Sequence, residues 1–142
     1  MEYAIKQAKL CTNDVPIGCV IKQNGKIIAS THNRRELDND VTAHAEILAI
    51  KKAQEILKTS RLNNCEMYVT LEPCPMCAWA IIQSRISTVY FGSFDRNYGA
   101  LGTVVDLRKL HNSNLKVYGG IMEEECNKIL EDYFVKIRGK NA

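Results

Sequence analysis

The tetrapeptide Cys74-Pro75-Met76-Cys77 places the strongest constraint on how this chain can fold. A proline between two cysteines three positions apart predicts the first turn of a helix, where proline is well tolerated. Cysteines at that spacing lie on one face of the helix, and the free N–H groups and dipole of the first turn favour their ionised form. Two thiolates placed in this way can chelate one metal ion, and zinc is the usual candidate.

A second motif, His44-Ala45-Glu46, opens another predicted helix and offers a third ligand. His44 is the best placed of the three histidines because it also lies at a helix start. A fourth protein ligand is not evident, although Cys65 at a strand entry is an alternative. Three protein ligands leave one position for water, which is typical of a catalytic zinc site. His44 and Glu46 point to nearly opposite sides of a regular helix, so they can face one metal only beyond its N-terminus, with Glu46 as a proton carrier.

Taken alone, Cys-x-x-Cys is also compatible with a redox pair or with half of a structural zinc site. A thioredoxin-like redox motif usually follows a first βα unit, and a structural site usually has a second pair of cysteines or histidines, which this chain lacks. The combination of His-x-Glu with a later Pro-Cys-x-x-Cys is much more specific. It is the signature of zinc-dependent nucleobase deaminases.

Length and composition fit one domain of an ordinary globular protein. The chain has 142 residues, of which 46% are hydrophobic and 25% charged. We find no signal-peptide pattern and no apolar run near the roughly 20 residues that a membrane span needs, so we expect no membrane partner and a cytoplasmic location. The net charge of +3 decides nothing alone, and the basic cluster of Lys136, Arg138 and Lys140 suits either solvated surface or a phosphate-bearing partner.

Apolar periodicity and turn signals predict a hairpin followed by alternating helices and strands. Asn24-Gly25 is a strong two-residue turn signal, and Thr42 is predicted to N-cap the second helix. The predicted helices cover 2–13, 43–58, 75–84 and 122–138, the strands 16–23, 26–31, 66–71, 88–91 and 115–118, and two loops 32–40 and 92–102. This order predicts an α/β protein with helices on both faces of a partly parallel sheet.

The chain resembles the bacterial tRNA-specific adenosine deaminases of the TadA type over almost its whole length. The resemblance implies a three-layer α/β/α cytidine-deaminase-like fold, with a mixed five-stranded sheet flanked by helices, and a single zinc-dependent deaminase domain over residues 1–142. The segments that carry it are Asp14-Val15-Pro16-Ile17-Gly18, Thr42-Ala43-His44-Ala45-Glu46-Ile47, Thr70-Leu71-Glu72-Pro73-Cys74-Pro75-Met76-Cys77-Ala78, Ser84-Arg85-Ile86, Phe91-Gly92, Asp95 with Gly99-Ala100-x-Gly102, and Tyr133-Phe134-x-x-x-Arg138.

The same resemblance implies a homodimer that converts adenosine to inosine at the wobble position of a tRNA anticodon. It assigns one Zn²⁺ per subunit to His44, Cys74 and Cys77, and proton transfer to Glu46. Asn33 would hydrogen-bond the flipped base, since an amide pairs with both donor and acceptor edges. The residues expected to contact the anticodon loop, by polar contact, base stacking and phosphate pairing respectively, are Asp95, Phe134 and Arg138.

Some positions depart from the family's pattern, and two other functions are compatible with the zinc motif. Asn97, beside Arg96, replaces a common lysine, Trp79 replaces a small residue and Val41 a common proline. The first alternative is a deaminase of a free nucleobase, nucleoside or nucleotide, such as a guanine or cytosine compound. The second is a non-catalytic, zinc-stabilised RNA-binding subunit, which the presence of Glu46 disfavours.

Overall fold

A single mixed sheet of five strands forms the middle of the molecule. The computed structural model describes the fold of residues 1–141 and the side chains of residues 1–139. The strands are β1 (Gly18–Gln23), β2 (Lys26–His32), β3 (Cys65–Leu71), β4 (Thr88–Ser93) and β5 (Lys116–Tyr118). Their order is β2-β1-β3-β4-β5, with β1 antiparallel to both neighbours and β3, β4 and β5 parallel. The predicted mixed, partly parallel sheet is confirmed.

Helices cover both faces of this sheet. They are α1 (Glu2–Ala8), α2 (Ala45–Leu57), α3 (Pro75–Gln83), α4 (Leu107–Leu110) and α5 (Glu123–Asn141). Helix α3 contacts α2 and α4, whereas α1 contacts α5, so the helices divide into two layers. The predicted three-layer α/β/α architecture is therefore confirmed. Within residues 1–141, no helix combines the length and apolar character that crossing a bilayer requires.

The main core lies between the sheet and the layer that contains α2 and α3. Small residues of α2 let that helix approach the strands closely, and α3 adds larger side chains. The fully buried members of this core include Ala45, Ala49 and Ala53 from α2, Ala78 and Ile81 from α3, and Ile21, Met67, Val69 and Val89 from the strands. Burial of this apolar surface keeps the first turns of α2 and α3 side by side. It contributes a stabilising free energy of about 25 cal/mol for each Å² of apolar area removed from water.

Three predicted boundaries were wrong for local reasons. The first helix ends at Ala8 and not near residue 13, because the next turn tightens and Asn13 takes a left-handed φ of 62°. Thr42 is not an N-cap: its N–H and hydroxyl donate to Asp40 Oδ1, and α2 begins only at Ala45. Strand β4 continues through Ser93, into the predicted loop 92–102, because Leu71 of β3 pairs with it there.

Candidate metal centre and active site

His44, Cys74 and Cys77 come together where two helices begin. His44 and Cys74 are the N-cap residues of α2 and α3, and both have extended backbones (φ −74°, ψ 149° and φ −73°, ψ 173°) that turn their side chains beyond the helix ends. His44 Nδ1 lies 3.7 Å from Cys74 Sγ and 3.5 Å from Cys77 Sγ. All three candidate ligand atoms lie within 4.8 Å of one another.

These distances fit one tetrahedral zinc ion. Zinc bonds of about 2.0–2.1 Å to nitrogen and about 2.3 Å to sulfur, at the tetrahedral angle, imply N···S separations of about 3.5 Å. Among residues 1–139, the group of side chains placed to hold a metal ion contains these three members and no fourth. Cys65, the alternative fourth ligand, belongs to the apolar core at the start of β3. A site with three protein ligands has the composition typical of catalytic zinc.

Glu46 lies in the first turn of α2, buried next to this cluster. Its side chain is 4% exposed, and its Oε1 has no hydrogen-bond partner. Burial raises the pKa of Glu46 to about 7. A buried carboxylate oxygen without a partner is costly in a folded protein, and such an atom indicates a ligand or a water that the site is built to receive.

The two thiols are electrostatically coupled. A hydrogen bond from Cys77, followed by one from His44, lowers the pKa of Cys74 to about 4, against the opposing effect of burial. The same hydrogen bond to Cys74, together with burial, raises the pKa of Cys77. Hydrogen bonding to Cys74 also raises the pKa of His44. The cluster therefore stabilises a thiolate on Cys74 at the first turn of α3, and a bound cation would be needed to ionise Cys77 as well.

A cavity of about 870 Å³ opens above this cluster. Its walls include the segments that follow β3 and β4, because parallel strands deliver their carboxyl ends to the same edge of a sheet. A volume of this size is ordinary for a small-molecule pocket and is wide enough to admit a nucleoside. The lining residues that the sequence had singled out are Asn33, His44, Glu46, Cys74, Asp95, Arg96, Asn97 and Phe134.

Arg138 lies outside this cavity, in an adjoining groove of about 580 Å³. Phe134 lines both spaces and is 46% exposed, so it is not the core residue that a helical aromatic usually is. The third member of the basic cluster, Lys140, lies outside the side chains that the structure describes.

Asn33 is held firmly by the backbone around it. Its Nδ2 donates to the carbonyl oxygen of Val15 (3.0 Å), and its Oδ1 accepts from the N–H of Ala45 (2.8 Å). It therefore satisfies the first N–H of α2, at the helix start that Thr42 was predicted to cap. An amide has two N–H donors and two lone pairs, so one of each is still available for a base.

Two of the departures from the family's pattern lie away from the cavity. Trp79 projects from α3 and packs on His111 with ring centroids 4.1 Å apart, and Val41 is 65% exposed.

One buried residue of the site had no role assigned from the sequence: Glu72, whose carboxylate accepts hydrogen bonds from the loop that borders the cavity. Its place between a strand end and Pro73 was the only available signal.

Comparison with known proteins places this architecture among deaminases. The family model of the MafB19-like deaminases matches residues 1–138. The tRNA-specific adenosine deaminase of Bacillus subtilis (strain 168) is 45% identical, over 99% of this chain and 89% of that protein. A solved structure from a study of A-to-I editing by tRNA:A34 deaminases at the wobble position superposes with a TM-score of 0.85. The two chains are 41% identical, and the superposition covers 92% of this chain and 97% of that one.

A guanine deaminase from Bacillus subtilis is more distant. Its crystal structure superposes with a TM-score of 0.64 at 29% identity, over 78% of this chain and 87% of that protein.

Proposed function

Since the chain belongs to the MafB19-like deaminase family, we propose that it is a hydrolytic deaminase that converts adenosine to inosine at the wobble position of a tRNA anticodon. The observation that carries this proposal is the buried Glu46 carboxylate, with an unpartnered Oε1, beside the cluster of His44, Cys74 and Cys77. A metal-ligand set and a proton carrier at the bottom of one cavity are what hydrolytic deamination needs.

His44, Cys74 and Cys77 would hold one Zn²⁺ per subunit. Zinc, when bound, supplies a nucleophilic hydroxide at neutral pH by lowering the pKa of water. Glu46 accepts one proton from the attacking water and passes it to the ring nitrogen next to the reacting carbon. It then accepts the second proton from the newly formed hydroxyl group and gives it to the leaving amine. The C–O bond forms first, and the C–N bond to the protonated amine then breaks as the C=O bond forms, so water and adenosine yield inosine and ammonia.

The surface around the cavity supports an RNA substrate. Phe134 presents a half-exposed ring on which a base can stack, and Arg138 lies in the adjoining groove, where it can pair with a phosphate. Asp95 and Asn33 both line the cavity, and the Asn33 amide keeps one N–H and one lone pair that Val15 and Ala45 do not use. A pocket that served only a free base would not need an aromatic and a basic side chain along its approach.

We also infer a single deaminase domain over residues 1–142, a homodimer, and a cytoplasmic site of action. The dimer is supported by exposed apolar side chains on α3, on α4 and in the segment between β4 and α4, namely Met76, Trp79, Leu110 and Val104. Exposed apolar side chains on neighbouring helices such as α3 and α4 are typical of an interface. Sedimentation equilibrium measures the association, and cell fractionation the location.

The decisive experiment measures inosine in an anticodon stem-loop with adenosine at the wobble position. The matched control is the same stem-loop with that adenosine moved by one nucleotide, and free adenosine and guanine are incubated in parallel. Product from the wobble stem-loop alone supports the proposal. Product from free guanine or adenosine alone would instead make the protein a free-base or nucleoside deaminase. Full activity of Glu46→Ala would exclude the proposed mechanism.

A further inference from the structure

Glu72 is a buried carboxylate that the chemistry above does not use. It follows β3 directly, two residues before Cys74, and its side chain is 1% exposed. Among the side chains of residues 1–139, no lysine, arginine or histidine forms an ion pair with it. A buried charge normally has a cationic partner, a metal, or a set of directed hydrogen-bond donors.

Directed donors are what surrounds Glu72, and all of them belong to one loop. The N–H of Asp95 and the hydroxyl of Thr103 donate to Oε1. The N–H groups of Leu101 and Thr103 donate to Oε2, each at 3.1 Å. The adjacent backbone makes two more bonds to the same region, since Ala100 N–H donates to the Pro73 carbonyl oxygen and Glu72 N–H to that of Ser93, both at 2.9 Å.

Gly99 shows how closely the loop is fitted around the carboxylate. A Cβ added there would lie 2.5 Å from Glu72 Oε1 and 2.5 Å from the carbonyl oxygen of Asp95, so no larger residue fits without displacement. Gly99 N–H in turn donates to that Asp95 carbonyl at 2.9 Å. The loop is therefore wrapped around the Glu72 carboxylate, and Ala100 and Leu101 within it also pack into the apolar core.

The anchored loop forms one wall of the cavity. Asp95, Arg96, Asn97 and Tyr98 all line it. The carboxylate of Asp95 accepts from the N–H groups of Asn97 and Tyr98, both at 3.0 Å, which fixes the turn at the rim. Glu72 thus joins two parts of the site through one side chain: the segment that carries Cys74 and the loop that faces the substrate.

We propose that Glu72 is a positioning residue that fixes the substrate-facing loop 94–103 relative to the metal-ligand segment and so sets the affinity for RNA. The proposal rests on the proposed function, because the loop matters only if a large substrate contacts it. Preorganised walls lower the entropy that a substrate must lose on binding. Glu72 itself does not touch the reacting atoms, and its effect belongs in KM and not in kcat.

The test compares Glu72→Gln and Glu72→Ala with the surface control Glu55→Gln. In Glu72→Gln the amide oxygen can take the place of Oε2 and keep the Leu101 and Thr103 N–H bonds. The amide NH₂ then faces Thr103, whose hydroxyl can reverse and accept, so the Asp95 N–H alone loses its acceptor. Glu72→Ala removes the acceptor from all three N–H groups.

We expect amide exchange, measured by NMR, to accelerate about tenfold or more at Asp95 alone in Glu72→Gln, and at Asp95, Leu101 and Thr103 in Glu72→Ala. KM for the wobble stem-loop should rise about threefold in Glu72→Gln and about tenfold or more in Glu72→Ala. In both variants the zinc content should be retained and kcat should stay within about twofold of the wild-type value. Glu55→Gln should match the wild type. If Glu72→Ala does not fold, Glu72→Gln carries the same test.

Three results would overturn the proposal: unchanged exchange in the loop, faster exchange with unchanged KM, or a loss of zinc that accounts for the loss of activity. Because the exchange measurement needs no substrate, it separates this inference from the proposed function. Altered exchange in a protein that deaminates no stem-loop would refute the function while leaving the anchoring of the loop established, and only the link to RNA affinity would fall with it.

Discussion

At the scale of single residues, Glu46 is expected to act on protons and not on metal retention. Its Oε1 has no partner, and its place two residues from His44 keeps it outside the ligand set. Glu46→Gln removes the proton acceptor while preserving size, so we expect kcat to fall about 10³-fold with zinc content unchanged. Single-turnover kinetics together with elemental analysis measure both quantities. A variant that lost its zinc would instead identify Glu46 as a ligand.

Asn33 should have a measurable structural role besides any contact with a base. Its Oδ1 accepts the first N–H of α2, between His44 and Glu46. We expect Asn33→Ala to lower the free energy of unfolding by about 1 kcal/mol, as loss of a cap does. The affinity for zinc should also fall about tenfold, because the turn that carries His44 loosens. Urea denaturation and competition with a chelator test this. Lost activity with unchanged stability and zinc affinity would leave base contact as the sole role.

At the scale of elements, the sequence predicted the number of strands, their order along the chain and the starts of the two central helices to within two residues. The predictions from Asn24-Gly25 and from Pro75 were confirmed because each signal acts locally. Asn24-Gly25 adopts the left-handed backbone of a tight turn, and Pro75 lacks the N–H that the first turn of a helix leaves unused. The prediction for Thr42 was wrong because its side chain donates to Asp40. The N–H of Ala45 instead donates to Asn33, which follows β2 and lies 12 residues earlier in the chain. Glu72 was invisible for the same reason, since its four donors come from residues at least 23 positions away.

The seating of α5 on β4 depends on a glycine. A Cβ at Gly92 would lie 2.2 Å from Cys126 Sγ and 2.8 Å from the carbonyl oxygen of Thr70. Gly92→Ala should therefore displace α5 and lower the free energy of unfolding by about 1–3 kcal/mol, as overpacking does. KM for the stem-loop should rise too, because α5 carries Phe134 and Arg138.

The double variant Gly92→Ala/Cys126→Ala offers a matched control for this contact. It removes the sulfur but keeps the Cβ of residue 126 and the Thr70 carbonyl oxygen, each 2.8 Å from the added Cβ, so we expect it to recover only part of the lost stability. Chemical denaturation of both single variants and the double variant gives the coupling energy between the two sites. If the stability changes of the two single variants simply add up in the double variant, the Cys126 side chain is not what the added methyl group displaces.

At the scale of the whole molecule, a metal bound by His44, Cys74 and Cys77 would cross-link parts of the chain 30 residues apart or more. It would tie the first turn of α2 to that of α3, which are otherwise joined by apolar packing. A ligand that binds the folded state alone, at a free concentration near 1,000 times its Kd, stabilises that state by about 4 kcal/mol. For a chain of this length that corresponds to about 10 °C in Tm.

We therefore expect extraction of the metal with a chelator to lower Tm by about 10 °C, and stoichiometric zinc to restore it. Cys74→Ser should melt near the temperature of the extracted protein and should not respond to zinc, because one of three ligands is gone. The exposed Glu55→Gln variant should behave as the wild type does in both states. Calorimetry with parallel elemental analysis makes the measurement. An extracted protein that melted at the wild-type temperature would mean that apolar packing alone sets the geometry of the centre, and that zinc, if bound, contributes chemistry without stability.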